Sequence, residues 1–307
     1  MHLPTRLCLT AALFVALTTA SCTKEKESGG DAVPAVPSAP ASATATSASP
    51  SPWVVPKTLD IGVKIDQPGF NQFDPSAHEY AGFEKELADF LGERIGFEPD
   101  LDDVSSKDRE KVLAKGSVQL VIATYSITDE RLEQIDFVGP YLKTEQGLLV
   151  RADNKEIKDE KDTAGKEICT VKGSTSKAGP KNPLDKDAII YDDAEDYNAC
   201  VQQLRDGNVD AVWTDRVILY GFAEIYDDVR VVDKINVGKK QMYGIGLAKH
   251  NLAMCRRLQG ALREFMKDEW YSHFKQRFTR LVQTDPRFET TYRPPADDID
   301  TYTQCTP

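Results

Sequence analysis

VQLVIATYSITDER, residues 118–131, decides how the rest of the chain is read. Its first half, Val118 to Ala123, is apolar at every position but Gln119, as expected of a strand covered on both faces of a sheet. Apolar character then stops. Thr124, Ser126 and Thr128 bring three hydroxyls at alternating positions, and Arg131 closes the stretch. This predicts a strand that ends in a loop and leads into a helix start. There, backbone N–H groups, short hydroxyls and an arginine fork can converge on a carboxylate. The carboxylate belongs either to a ligand or to the neighbouring Asp129 or Glu130.

Working outward, the same strand–loop–helix rhythm recurs. TLDIGVKI reads as a strand ending at Asp66, and Leu87, Phe90, Leu91 and Ile95 mark one face of a helix. A short strand is expected near Phe97 to Leu101. Ser106 and Asp108 then stand near a helix start, with Gly116 at its stop. QGLLVRA looks like a strand leaving this unit. A second unit follows, with strands at GKEICTV, AIIYDD, VDAVWTD and VRVVDK and helices at YNACVQQLRDG and RVILYGFAEIY. QMYGIGLAK reads as a strand returning to the first unit, followed by a helix from about Leu252 to Met266 with Leu258, Leu262 and Phe265 inward. The tail should be helical through Phe274 and Phe278 and irregular from Pro286. This order predicts two α/β lobes: residues 57–150 completed by 241–285, and residues 151–240, with a tail at 286–307. Crossovers near Val150/Arg151 and at Gly238 to Tyr243 would join them. Strand-end loops would then face one another across a cleft and hinge.

The N-terminal residues stand apart. A short apolar core, LCLTAALFVAL, follows Arg6 and precedes the small residues of TTASC, so residues 1–21 read as an export signal. Cys22 sits where a bacterial lipoprotein signal places its lipidated cysteine, although Thr19 stands where that pattern carries leucine. Residues 22–56 are rich in proline, alanine, serine and threonine and read as a tether with nothing to bury. The protein is therefore expected outside the cytoplasm, lipid-anchored to the outer face of the membrane, as a monomer. Formal net charge is -11, and without residues 1–21, whose one charged side chain is Arg6, it is -12. An acidic chain without a basic stripe argues against nucleic acid. Beyond Cys8 and Cys22, Cys169, Cys200, Cys255 and Cys305 remain. An even number in an exported chain favours two disulfides. Three connectivities are open, and pairing 169 with 200 and 255 with 305 would clamp neighbouring elements. No cysteine or histidine spacing resembles a metal site, and no cofactor is indicated.

YAGFEKELADFLGERIG, DRE, VIATYSITDERLEQIDFVGPYL, VKGSTS, DAVWTD and YGIGLAK occur in one uninterrupted order from about Thr58 to Met266. Together they resemble the extracellular solute-binding proteins of polar amino-acid ABC transporters, particularly the glutamate/aspartate-binding branch of actinobacteria. The resemblance implies a two-lobed periplasmic-binding-protein-like fold of type II, with the ligand in the cleft between lobes. It also implies delivery of L-glutamate or L-aspartate to a membrane permease.

Roles follow residue by residue from that resemblance. Arg131 would hold the α-carboxylate, assisted by Ser126, by Thr175 from the second lobe and more weakly by Ser174. Asp215 would take the α-ammonium, with Thr124 or its carbonyl as a further acceptor. Arg109 would meet the distal carboxylate with Lys64 as a second cation, Tyr197 or Asn198 would add a side-chain contact, and Phe70 would pack over the ligand's methylenes. Each residue also has a plainer reading. Lys64 could pair with Asp66 or Glu84, Arg109 could be an exposed helix residue, Asp215 a helix cap, the GSTS loop a turn and cap, and Phe70 core. Arg216 stands where relatives carry a second acid. Glutamine or asparagine binding and a lipid-anchored sensor remain open. A dehydratase-like or lytic-transglycosylase-like enzyme on the same scaffold is disfavoured, because none of these residues forms a nucleophile–base pair.

Overall fold

The computed structural model describes residues 54–74, 76, 78–176 and 184–307. The export signal, Cys22 and most of the tether lie outside the described residues, as do residues 177–183 beyond the GSTS loop. In chain order the first lobe opens with β1 (Thr58–Val63), β2 (Asp66–Gln67), β3 (Asn71–Asp74), β4 (Glu79–Ala81), α1 (Phe83–Ile95) and β5 (Glu98–Asp103). It continues through α2 (Arg109–Lys115), β6 (Leu120–Val121), α3 (Asp129–Leu132) and the long β7 (Asp136–Arg151). The second lobe holds β8 (Glu167–Val171), β9 (Ile189–Ala194), α4 (Tyr197–Asp206), β10 (Ala211–Asp215), α5 (Arg216–Ile225) and β11 (Val229–Val231). Strand β12 (Val237–Leu247) returns to the first lobe, followed by α6 (Leu252–Asp268), α7 (Trp270–Arg277), α8 (Thr279–Thr284), α9 (Phe288–Tyr292) and α10 (Asp298–Tyr302).

One curled mixed sheet runs β5-β1-β6-β12-β7-β10-β8-β9, with β11 on β7, and a small sheet β2-β3-β4 stands apart. Within each half the pairs β1–β5, β1–β6, β8–β10 and β8–β9 are parallel. The two long strands between them are antiparallel to each other and to their other neighbours. β7 lies between several partners: Asp136 to Gln146 pair with β12, Gln146 to Leu149 with β10, and Leu149 to Arg151 with β11. The crossover expected near Val150/Arg151 falls at the C-terminal end of this strand. GLLV is not a separate departing strand but the second-lobe half of one 16-residue strand. On β12 the register breaks between Val237 and Gln241, within the expected return segment.

Two other expectations change. VQLVIAT is paired as a strand only at Leu120–Val121. Beyond it the chain turns through Thr124, at φ +44°, and lies along β12, with Ile127 N–H donating to Met242 and Gly244 N–H to Tyr125. The tail is not irregular from Pro286. Phe288 and Tyr292 of α9 stack on Phe274, and α10 packs on β7, where Thr306 donates to Asp136. Short helices of five residues carry too few periodic positions to show in the sequence; they exist here through tertiary packing.

Helix α1 lies on α6 and α7, with the Phe83 ring edge-on to Phe265, Trp270 and Phe274. The inward set Leu258, Leu262 and Phe265 is buried as the spacing requires. Disulfides join Cys169 to Cys200 and Cys255 to Cys305. The first fixes β8 to α4; the second pins the chain end to α6. Among the described residues no helix is long and apolar enough to cross a membrane.

Candidate functional site

The loops that follow β1, β5, β6, β8, β9 and β10 all reach one narrow cavity of about 20 Å³. Its lining brings together Arg109, Thr124, Ser126, Arg131, Ser174, Thr175, Tyr197 and Asp215, eight of the nine ligand-contact residues expected from sequence. Gln67, Ser106, Thr214 and Ile218 complete it. Parallel strands place their C-terminal loops at one edge, so residues distant in sequence converge there without further design.

Arg131 enters from α3, which Thr128 caps by accepting the Arg131 N–H. Its Nε donates to Glu110 at 3.0 Å, Nη1 to the Ser126 carbonyl at 2.7 Å and Nη2 to the Gly173 carbonyl at 3.0 Å. A guanidinium has five N–H donors, so one on each terminal nitrogen remains, which suits a bidentate carboxylate. Its internal acidic partner is Glu110, not Asp129 or Glu130. Arg109 is more fully engaged. It donates to the carbonyls of Ser106, Ala123, Thr124 and Gly173. It is buried, not an exposed helix residue.

The two guanidinium carbons lie 4.4 and 4.8 Å from the Tyr125 ring centre. Burial, then the neighbouring Arg109 charge, brings Arg131 down to about 10. A pair of buried cations this close favours an anion between or beside them.

Asp215 ends β10, and although it precedes α5 its side chain makes no capping bond. Its Oδ2 accepts from the Tyr243 hydroxyl at 2.5 Å, while Oδ1 is buried with no hydrogen-bond partner. Burial pushes its carboxyl up to about 6, against the pull of Tyr243 and of the Gln146 amide. An unpaired buried carboxylate oxygen in a cavity is the acceptor that a ligand cation requires. On the facing side of the second lobe, Thr175 accepts from Gln146 at 3.0 Å. Ser174 and Ser176 form a local turn, and the residues that would continue from it, 177–183, lie outside the described residues.

Lys64 is the one ligand-contact residue the structure does not bring to the cavity. Its Nζ pairs with Asp66 at 3.0 Å, both side chains nearly inaccessible. Asp66 Oδ2 accepts the Tyr197 N–H of α4 at 2.8 Å, tying the lobes together. A lysine pointing inward from a strand had to meet an anion, and the nearest acid in sequence is that anion. Phe70 is core, edge-on to Tyr243 and Phe278. Arg216 turns away to the Val232 and Ile235 carbonyls and the Tyr220 hydroxyl.

Of the four lining residues that the sequence reading did not place in the site, Gln67 stands out. It is 1% exposed and its Oε1 has no partner. A glutamine two residues past an apolar strand carries no signal by itself; only the cavity singles it out.

Backbones meet across the cleft as well. Gly173, at φ +82°, leaves a Cβ position only 2.5 Å from the Lys107 Cα, and a Cβ on Gly221 would sit 2.0 Å from the Pro68 carbonyl oxygen. Only glycine permits either approach.

Two α/β lobes on paired crossover strands, with convergent buried charges where their loops meet, define a cleft-binding protein for a small charged solute. The chain belongs to the bacterial extracellular solute-binding proteins, family 3, whose model matches residues 59–280. This is a family of extracytoplasmic binding proteins. Among curated relatives, the glutamate-binding protein GluB of Corynebacterium glutamicum is 33% identical over 223 residues, covering 69% of this chain and 75% of that protein. A glutamine-binding protein of Geobacillus stearothermophilus is 34% identical over 205 residues, covering 65% and 76%. Among solved structures, an ancestral arginine-binding protein bound to arginine superposes with a TM-score of 0.65 at 27% identity, covering 73% of this chain and 98% of that one.

Proposed function

We propose that this protein binds an acidic L-amino acid, glutamate or aspartate, between its lobes and hands it to an ABC-transporter permease, standing off the membrane on a lipidated Cys22. The observation that carries the reading is the pair of buried guanidiniums over Tyr125 facing an unpaired Asp215 oxygen. An amino acid supplies the complement: a carboxylate for the two free N–H groups of Arg131, and an ammonium for Asp215. Arg109 adds a second positive charge that favours an acidic side chain over its amide. The likeness to GluB supports the same choice.

A cavity of about 20 Å³ holds roughly one water-sized group. An amino acid therefore reaches these atoms by parting of the lobes about β7 and β12. Glutamine is the second reading, favoured by two observations. Lys64 is spent on Asp66, and the open Gln67 amide suits a carboxamide. Calorimetric titration of glutamate, aspartate, glutamine and asparagine into the mature protein separates the readings. Glutamate or aspartate should bind with micromolar or tighter affinity, about -8 kcal/mol or better. A clear preference for an amide would reverse the assignment of Arg109.

A further inference from the structure

Glu84 is a buried carboxylate that no ligand contact uses. It occupies the second position of α1, is 0% exposed, and accepts three hydrogen bonds: from Thr124 N–H at 2.6 Å, Tyr141 hydroxyl at 2.5 Å and Asn71 Nδ2 at 3.1 Å. An apolar side chain would fill such a place at lower cost than an ionisable one. The three donors say what the carboxylate does instead. Thr124 lines the cavity, and it does so at φ +44°, a conformation that a β-branched residue adopts only when its surroundings impose it. Its carbonyl in turn faces Arg109 Nη1 at 3.4 Å. Tyr141 lies 6.0 Å, ring to ring, from Tyr243, whose hydroxyl is bound to Asp215.

We propose that Glu84 is a positioning residue for the ligand: its carboxylate clamps the Thr124 backbone in the left-handed turn that presents Thr124 and Ser126 to the cavity. The clamp rests on the amino-acid reading of the site. Other groups facing Glu84 are few. Arg109 of α2 is the charge that acts on it, Asn71 of β3 and Tyr141 of β7 are its hydrogen-bonded neighbours, Tyr243 of β12 lies within electrostatic reach, and α6 and α7 bring Phe265, Trp270 and Phe274 around Phe83. Arg277 of α7 is taken by Glu86. Burial pushes Glu84 up to about 7, so its charge, and with it the strength of the acceptor offered to Thr124, changes near neutrality. The ionised form holds the turn better, and ligand affinity therefore falls as pH drops through about 7.

Three variants test this by calorimetry with glutamate, with folding checked by circular dichroism. Glu84→Ala leaves a buried N–H unpaired and should weaken binding about tenfold or more. Glu84→Gln keeps an acceptor without a charge; it should lose less affinity and flatten the profile between pH 6 and 8. Adding Thr124→Gly to Glu84→Ala should recover part of the loss, the part due to the turn rather than to the Thr124 side chain, because glycine enters the left-handed region unaided, a rescue that a merely structural acid would not give. Should Glu84→Ala fail to fold, the Glu84→Gln profile decides. Amide exchange across residues 122–128 without added ligand reads the clamp independently of which solute binds. Faster exchange in the variants supports the proposal even if no acidic amino acid is bound. Wild-type affinity and pH profile in Glu84→Gln, or unchanged exchange, overturns it.

Discussion

Asp215 offers the sharpest test of the site, because one carboxylate oxygen is bound and the other is open. With the cavity free of ligand its carboxyl sits at about 6, raised by burial from 3.8. An ammonium on Oδ1 favours the ionised form, so the carboxyl in the complex should fall to its ordinary range or lower. That difference of about two units corresponds to roughly 2.7 kcal/mol at 1.36 kcal/mol per unit. The sign follows. The ligand prefers the ionised acid, so the effect is fully present above pH 6 and is lost as pH falls from 6 towards 4. Affinity should drop close to tenfold per pH unit in that window, on top of the shallower change near neutrality. Titration calorimetry in buffers of different ionisation enthalpy should show proton release on binding, about half a proton at pH 6. Asp215→Asn should weaken every amino-acid ligand at pH 7.5 by about 2–5 kcal/mol, as for a buried charge losing its partner. The low-pH decline should vanish with it. Affinity that stays flat from pH 5 to 7.5 in the wild type, with no proton release, would refute the assignment of Asp215 to the ammonium.

Arg131→Ala should abolish detectable binding of acids and amides alike, at a cost of about 2–5 kcal/mol, since it removes the fork and its charge; Arg109→Ala should cost more for glutamate than for glutamine, and equal losses would make it a scaffold residue. Gly221→Ala puts a methyl 2.0 Å from the Pro68 carbonyl oxygen, so small-angle scattering should show a larger radius of gyration at saturating ligand than in the wild type, with weakened affinity for every ligand. Replacing Cys255 and Cys305 together by serine opens a loop of 50 residues, worth up to about 4 kcal/mol of unfolding free energy in a urea titration, while ligand affinity stays within about threefold. Lys64→Met should reduce glutamate and glutamine affinity by similar factors, because Lys64 holds Asp66 rather than the ligand; a loss confined to glutamate would restore Lys64 to the side-chain pocket.

The alternation of strand and helix was legible because each element here carries its own period. TLDIGV, IIYDDA and AVWTD are short β-rich runs, and α6 repeats its buried positions at helical spacing. The loops that follow the strands were legible for the same reason, and with them most of the cavity, although the residue at which pairing stops was not, as VQLVIAT shows. Partnerships were not. Nothing local shows that Lys64 spends its charge on Asp66, or that Glu84 reaches Thr124, because those pairs depend on how separate elements stack. The same holds for Gln67, whose chemistry is ordinary until its amide is found buried beside two arginines. That β7 runs unbroken beside β12, β10 and β11 was not legible either, because periodicity marks where a strand lies, but not which neighbours it has.

The placement of these partners ties recognition to the contact between lobes. Both arginines stand on the first lobe, yet each donates one N–H to the Gly173 carbonyl on the second. Asp66 reaches the opposite way, to the Tyr197 N–H. Asp215 of the second lobe is held by Tyr243, which stands on the return strand β12. Each group that would read a carboxylate or an ammonium is therefore also bound, directly or through one neighbour, to the other half of the molecule. Parting the lobes would strip Gly173 from both guanidiniums, returning two buried cations to water, where their mutual repulsion is weak. Bringing the lobes together restores that repulsion in a dry site, and an anionic solute relieves it. Closure without an anion is thereby disfavoured by the same two charges that make closure around one favourable.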